Sequence, residues 1–109
     1  MNIDIRQVKL EIYTPEEFVK PIRDALALIG ACRVGNYSHV ISCQSTTGSW
    51  MPLENSNPYN GTKGEICTGS ESKMEVRRPV EKIEEALQVI RKIHPCEEPL
   101  INIIPLLNP

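Results

Sequence analysis

The sequence predicts an α+β fold in which two β–α units flank a central β-hairpin. Three observations carry that expectation: a gap-free internal repeat, a switch from strand to helix patterning at a proline in each copy, and a β-branched segment that closes the chain. The repeat sets KLEIYTPEEFVKPIRDALALIG (Lys9 to Gly30) on KMEVRRPVEKIEEALQVIRKIH (Lys73 to His94). Lys9, Glu11, Pro15 and Glu17 meet Lys73, Glu75, Pro79 and Glu81. Leu10, Ile12, Val19, Leu26 and Ile29 meet Met74, Val76, Ile83, Ile90 and Ile93.

Each copy opens with period-2 alternation, the pattern of a half-buried strand. Leu10, Ile12, Met74 and Val76 are expected to face the helices. Lys9, Glu11, Tyr13, Lys73, Glu75 and Arg77 then line the open face, where opposite charges can pair across strands. Proline suits the first helical position, since its missing N–H would be unpaired there. In the first copy Thr14 is placed to cap the helix while Glu17 reaches back, a capping box. Between the copies, SHVISCQ and GSWMPL read as two short strands around a Ser-Thr-Thr-Gly turn. ENSNPYNGTKG, dense in Asn, Pro and Gly, is loop. EICTGSESKMEVRR is an extended arm into the second copy, and LINIIPLL is a closing strand. The order β-α-β-β-(β)-α-β is the split βαβ, ferredoxin-like arrangement: a mainly antiparallel sheet with both helices on one face.

A chain of 109 residues is expected to form one domain, residues 1–109. With 40% apolar and 24% charged residues it is neither a disordered tail nor a membrane span. The opening MNIDIRQVKL has no basic n-region and no apolar h-region, so a cytoplasmic location is expected. A net charge of −2 with no Lys/Arg cluster argues against nucleic acid as a partner. Cys32, Cys43, Cys67 and Cys96 contain no C-x-x-C pair and are expected as free thiols in a reducing compartment. The sequons at Asn36 and Asn60 read as turn chemistry. Phosphate-binding glycine loops and nucleophile-elbow motifs are absent from the sequence.

The stretch HPCEEP, His94 to Pro99, concentrates an imidazole, a thiol and two carboxylates. His94 is favoured at a helix C-terminus by the partial negative charge there, and Pro95 stops the helix. It reads either as an ordinary helix stop or as a metal or ligand contact. Glu98 precedes Pro99 and is biased toward extended geometry, so Glu97 and Glu98 point apart and cannot act as an acid–base pair. Cys96 lacks a base to lower its pKa, and the neighbouring Glu97 charge would raise it, so it is expected as an unreactive thiol. His39 reads as a strand residue sharing a face with Ile41 and Cys43. His39 and Cys43 would lie about 13 Å apart along such a strand, too far to share one ion. A metal site would need His39 together with His94, Glu97 or a neighbouring subunit. Trp50, with Met51 and Tyr59, is expected at a hydrophobic hairpin tip, as a packing residue or a ligand-stacking surface.

GNYSHV, GSWMPLENSNPYNG and HPCEEPLINIIPL resemble the inserted domain of the NGG-one-interacting-factor-three-like proteins. The chain is also similar to the CutA divalent-ion tolerance proteins, through Trp50 and the H-P-x-E-x-P pattern of His94, Pro95, Glu97 and Pro99, and more distantly to PII proteins. The resemblance spans Val8 to Leu106. It implies a PII/CutA-like ferredoxin-like domain assembled as a homo-oligomer, a trimer being favoured. It also implies binding of a divalent cation (copper or zinc) or of a small effector between subunits. The hydrolase activity of the larger relatives belongs to flanking lobes that carry a dinuclear metal site and is not expected of these residues. Position 96 departs from the pattern, with Cys where the motif has an aromatic Tyr. The expected function is therefore a non-enzymatic binding or regulatory module using His39, His94, Glu97 and Trp50, with His39, His94 and Glu97 as the metal set. A ligand-free oligomerisation or partner-docking domain is the alternative, and an enzyme built on Cys96 or the His/Glu group is a third reading.

Overall fold

The computed structural model describes residues 4–107. Its elements run β1 (Gln7–Thr14), α1 (Val19–Leu28), β2 (Ser42–Trp50), β3 (Cys67–Pro79), α2 (Ile83–Ile93) and β4 (Ile101–Leu106). A 3-10 turn precedes each helix, Glu16–Phe18 before α1 and Val80–Lys82 before α2. The sheet order is β2-β3-β1-β4 with every neighbouring pair antiparallel, the ferredoxin-like arrangement.

The period-2 signal places β1 as expected, with its residues alternating between the two faces. Leu10, Ile12, Met74 and Val76 are fully buried against Ile22, Leu26, Ala86 and Ile90 from the helices. The internal repeat becomes a pseudo-two-fold axis in space. Glu11 pairs directly with Glu75, its counterpart in the other copy, and the rungs on either side are related by the same symmetry: Leu10 opposite Val76, Ile12 opposite Met74.

Placing two carboxylates on one rung would repel. The diagonals answer this on the open face. Lys9 Nζ lies 3.0 Å from Glu75 and 3.6 Å from Glu11, and Lys73 Nζ lies 3.6 Å from Glu75 and 3.9 Å from Glu11. The expected cross-strand pairing is therefore present as a four-charge network centred on the axis. The Lys9 hydrogen bond holds the Glu75 carboxyl below the usual carboxylate range. A carboxyl with a depressed folded-state pKa contributes above its unfolded value and loses that contribution as pH falls through the depressed one.

The helices end differently at equivalent positions. Gly30, at φ +72°, closes α1 in a Schellman motif, with Ala31 N–H bonding Leu26 O and Gly30 N–H bonding Ala27 O. Its counterpart His94 ends α2 in an extended conformation, as the following Pro95 requires. Arg91 and Lys92 in the last turn of α2, with Glu84 and Glu85 in the first, suit its dipole.

Three local expectations are corrected. The capping box does not form: Thr14 is buried on the inward side of β1, its hydroxyl donates to Pro15 O, and neither helical segment has a side-chain cap. Pro15 and Pro79 stand one position earlier than expected, capping the 3-10 turns. SHVISCQ and GSWMPL are not two strands around a turn. Ser42–Trp50 is one continuous strand through the Ser-Thr-Thr-Gly segment, which pairs with Ser70, Glu71, Gly69 and Ser72 across β3.

The β2–β3 ribbon overhangs the sheet. The last β1 rung is Thr14 with Ser72, whereas β2 and β3 continue pairing to Trp50 with Cys67. Replacing buried Ile90 by Ala is expected to cost about 2–5 kcal/mol in urea unfolding. The same change at Leu28, which is 89% exposed, should stay within about 0.5 kcal/mol.

Candidate functional site

The HPCEEP turn, the long 51–66 loop and the start of α1 meet at one end of the sheet. His94 is their anchor. It is buried, its Nε2 lies 2.6 Å from Tyr13 O, and its Nδ1 lies 3.1 Å from Cys96 N. A carbonyl only accepts and a backbone N–H only donates, so the partners place the ring proton on Nε2 and leave Nδ1 as acceptor. Tyr13 N–H bonds Leu100 O, 3.1 Å, so the turn grips the last part of β1 through both backbone groups of one residue.

Glu97 accepts a hydrogen bond from Asn57 N at 2.9 Å, tying the turn to the loop. On the loop's other flank the Tyr59 hydroxyl donates to Glu17 at 3.1 Å, and its ring meets Phe18 edge-on at 6.1 Å. That hydrogen bond, more than burial, raises the phenol's pKa. Two carboxylates, Glu17 from before α1 and Glu97 from after α2, thus hold one loop.

Met51 begins the connecting loop, and Trp50 closes β2 on the last rung of the β2–β3 hairpin, opposite Cys67. Its Nε1 donates to Asn60 O at 3.0 Å. Its ring crosses Gly69, where an added Cβ would sit 3.1 Å from the indole. Gly61, at φ +113°, is equally constrained: a Cβ there would lie 2.7 Å from Cys67 Sγ.

Cys96 is half-buried, and its thiol is pushed up by burial and then by the Glu71 charge, where the sequence pointed to Glu97. A raised thiol pKa leaves little thiolate near neutrality. The four cysteines are free thiols.

His39 is not on a strand. It lies in the segment before β2 in the left-handed region, φ +59°, exposed, with Ser38 Oγ 2.9 Å from Nδ1 and Asp24 3.9 Å from Nε2. The supposed metal set His39, His94 and Glu97 is not brought together within the chain. Both His94 nitrogens are engaged, Glu97 holds the loop, and no group of three His, Cys, Asp or Glu side chains suited to a metal occurs among the described residues. These residues do not fit a resident cation within one chain.

Sequence reasoning assigns Glu17 only a capping role and misses its bond to Tyr59. It also passes over Arg78, which lies at the other end of the sheet and falls on the inward parity of β3 after Met74 and Val76. That parity was the available signal. An open depression of about 360 Å³ between α1 and β2 is lined by Glu16, Glu17, Val19, Lys20, Cys43 and Ser72.

Replacing His94 by Ala should lower stability by about 1–3 kcal/mol, because it leaves the partly buried Tyr13 carbonyl and Cys96 amide without their partner. Urea unfolding measures this. Glu97→Ala should leave the fold intact and speed hydrogen exchange at the Asn57 amide.

No family model matches the chain. Proteins called GTP cyclohydrolase 1 type 2 homolog do match: that of Bacillus subtilis is 33% identical over 98 residues, and that of Mycobacterium leprae 34% identical over 101. These alignments take in 90% and 93% of this chain but only 26% of each relative, so the chain spans about a quarter of their length. Among solved structures, a Bacillus cereus protein related to NIF3 superposes with a TM-score of 0.82 at 26% identity, over 95% of this chain and 26% of that one. The divalent cation tolerance protein CutA of Archaeoglobus fulgidus superposes with a TM-score of 0.72 at 17% identity, over 94% of this chain and 86% of that one. No helix among the described residues is long and apolar enough to cross a membrane. Sequence and fold together make the chain a relative of one segment of the NIF3-like GTP cyclohydrolase 1 type 2 homologs, in the fold of CutA and the PII-like proteins.

Proposed function

We propose that the chain is a non-enzymatic, homo-oligomeric binding module, a trimer being favoured, that holds a divalent cation or small effector between subunits. The observation that carries this reading is the β2 edge. Ser42–Trp50 is nine residues long, contains no charged residue and no proline, and pairs on one side only. Exposed edge strands in monomers are normally guarded by charge, proline or a bulge. The opposite edge, β4, carries Pro105; β2 carries nothing of the kind.

The engaged state of His94 and the scattered donors support a ligand site completed by a second chain, not within one. His39 is exposed and 3.9 Å from Asp24, which also pairs with Arg23 at 2.9 Å, so His39 is a donor one subunit can offer a cation. The CutA relative is called a divalent cation tolerance protein, which supports a cation as the ligand class. The raised Cys96 pKa and the engagement of His94 and Glu97 support a binding role over a catalytic one.

Light scattering on a sizing column tests the assembly: a strict monomer at micromolar concentration would sink the reading. Thr47→Lys on the β2 edge should lower the apparent mass. Copper or zinc should raise the melting temperature by mass action, about 2.7 kcal/mol at a hundredfold excess over Kd, and His39→Ala should remove that shift.

A further inference from the structure

The inward face of the sheet changes character beside the start of α1. Ile12 and Met74 share a fully buried rung, but the next inward rung carries hydroxyls: Ser72 lies between Thr14 on β1 and Ser45 on β2. Thr14 donates its hydroxyl to Pro15 O. Ser72 is 8% exposed and makes no side-chain hydrogen bond among the described residues. A buried hydroxyl is ordinarily paired. Ser72 instead lines the open depression of about 360 Å³ between α1 and β2.

The internal repeat supplies a control for this position. The counterpart of Ser72 is Val8, which is 3% exposed and shares a rung with Arg78 as Ser72 does with Thr14. One copy of the unit therefore fills this place with an apolar side chain, and the fold does not demand a hydroxyl. Glu16 and Lys20 at the rim likewise correspond to Val80 and Glu84. The combination of groups belongs to one half of the molecule alone.

A second feature meets it. Glu16, Glu17 and Lys20 line the helical side of the depression, with Val19 as an apolar wall, while Cys43 and Ser72 line the sheet side. Glu16 and Lys20 have the spacing of a helical ion pair. Among the described residues, however, neither side chain makes a hydrogen bond or ion pair, and Lys20 acts on Asp24 through charge alone. Glu17 holds the Tyr59 hydroxyl through one oxygen. An ammonium, a carboxylate and a hydroxyl, all uncommitted, therefore surround one cavity. Its volume and its mixture of a few polar groups with apolar wall suit a small organic molecule.

We propose that this depression binds a free α-amino acid as its zwitterion. The ligand carboxylate takes the Lys20 ammonium, and the ligand ammonium takes Glu16, both as charge-assisted hydrogen bonds. Ser72 donates its hydroxyl to the same carboxylate from the sheet side. The ligand side chain rests on Val19 and the Cys43 thiol. A simple anion would meet two glutamates and a simple cation would meet Lys20, so the arrangement selects a molecule that carries both charges. The lining residues all belong to one chain, so the site does not rest on the assembly or the cation described above.

L-leucine and L-serine are titrated into the wild-type protein by calorimetry, with leucinamide and N-acetyl-leucine as analogues that each lack one charge. One saturable site per chain is expected for at least one of the two amino acids, with each analogue bound about tenfold or more weakly than leucine. Alkylation by iodoacetamide, read by mass spectrometry, locates the site: the bound amino acid should slow reaction at Cys43 and leave Cys67 unchanged. Lys20→Gln, at an exposed position, should weaken binding about tenfold without moving the melting temperature of the free protein. Ser72→Ala should weaken binding too, and it should melt no lower than wild type, since the hydroxyl has no partner to lose. The proposal is overturned if neither amino acid gives saturable heat at millimolar concentration, if leucinamide or N-acetyl-leucine binds as tightly as leucine, or if Lys20→Gln keeps the full affinity. Light scattering in the same buffers separates this from the assembly: a monomer that binds the amino acid keeps the site and removes the oligomer.

Discussion

Everything in this molecule hangs on the antiparallel pairing of β1 with β3. That register puts Leu10, Ile12, Met74 and Val76 on one face, where α1 and α2 cover them. A slip of one residue would turn one strand's inward pair, Leu10 with Ile12 or Met74 with Val76, toward water and bring that strand's lysine and glutamate against the helices. The apolar face and the charge network thus select the same register from opposite sides of the sheet. The charges add little net stability at a partly solvated surface, but they penalise the wrong alignment.

The pseudo-symmetry also explains where the two halves were free to diverge. Positions that build the shared core keep their chemistry, as Leu26 with Ile90 and Ile29 with Ile93 show, and so does the open-face rung of Glu11 with Glu75. Divergence collects at the ends of the units. Gly30 closes α1 with backbone bonds alone, whereas His94 closes α2 and reaches across to β1. Thr14 satisfies itself locally, whereas Arg78 does not. His94 is accordingly a structural clasp first. The HPCEEP turn joins β1, the 51–66 loop and the last strand through one imidazole and one carboxylate.

Much of this was legible in the sequence because periodicity reports burial directly. The two β–α units, the four inward residues and the closing strand follow from patterns that core packing enforces. Where the structure departs from the sequence pattern, the cause is distant pairing overriding local composition. Ser-Thr-Thr-Gly has turn chemistry, yet the rungs with β3 hold it extended. SHV looked like strand, yet His39 takes a left-handed conformation, which His adopts more readily than most residues, and Val40 N–H bonds Cys32 O instead of a sheet neighbour. The capping box failed because Thr14 is the last inward residue of β1, so the core claims its side chain before the helix can. Which donors converge was beyond the sequence, since His39, His94 and Glu97 are placed by three separate segments.

The central strand pair has a kinetic side as well. β1 and β3 are separated by more than half the chain, yet each begins a unit whose strand and helix are sequence neighbours. The units can take shape locally within microseconds. The slow event is their meeting, which requires closing a large chain loop before any core contact between halves is gained. Closure entropy grows only logarithmically with loop length, by about 0.6 kcal/mol per doubling. Extra residues inserted near the tip of the 51–66 loop would therefore slow folding only slightly, whereas exchanging the order of the two units would change which contacts are local and redraw the route altogether.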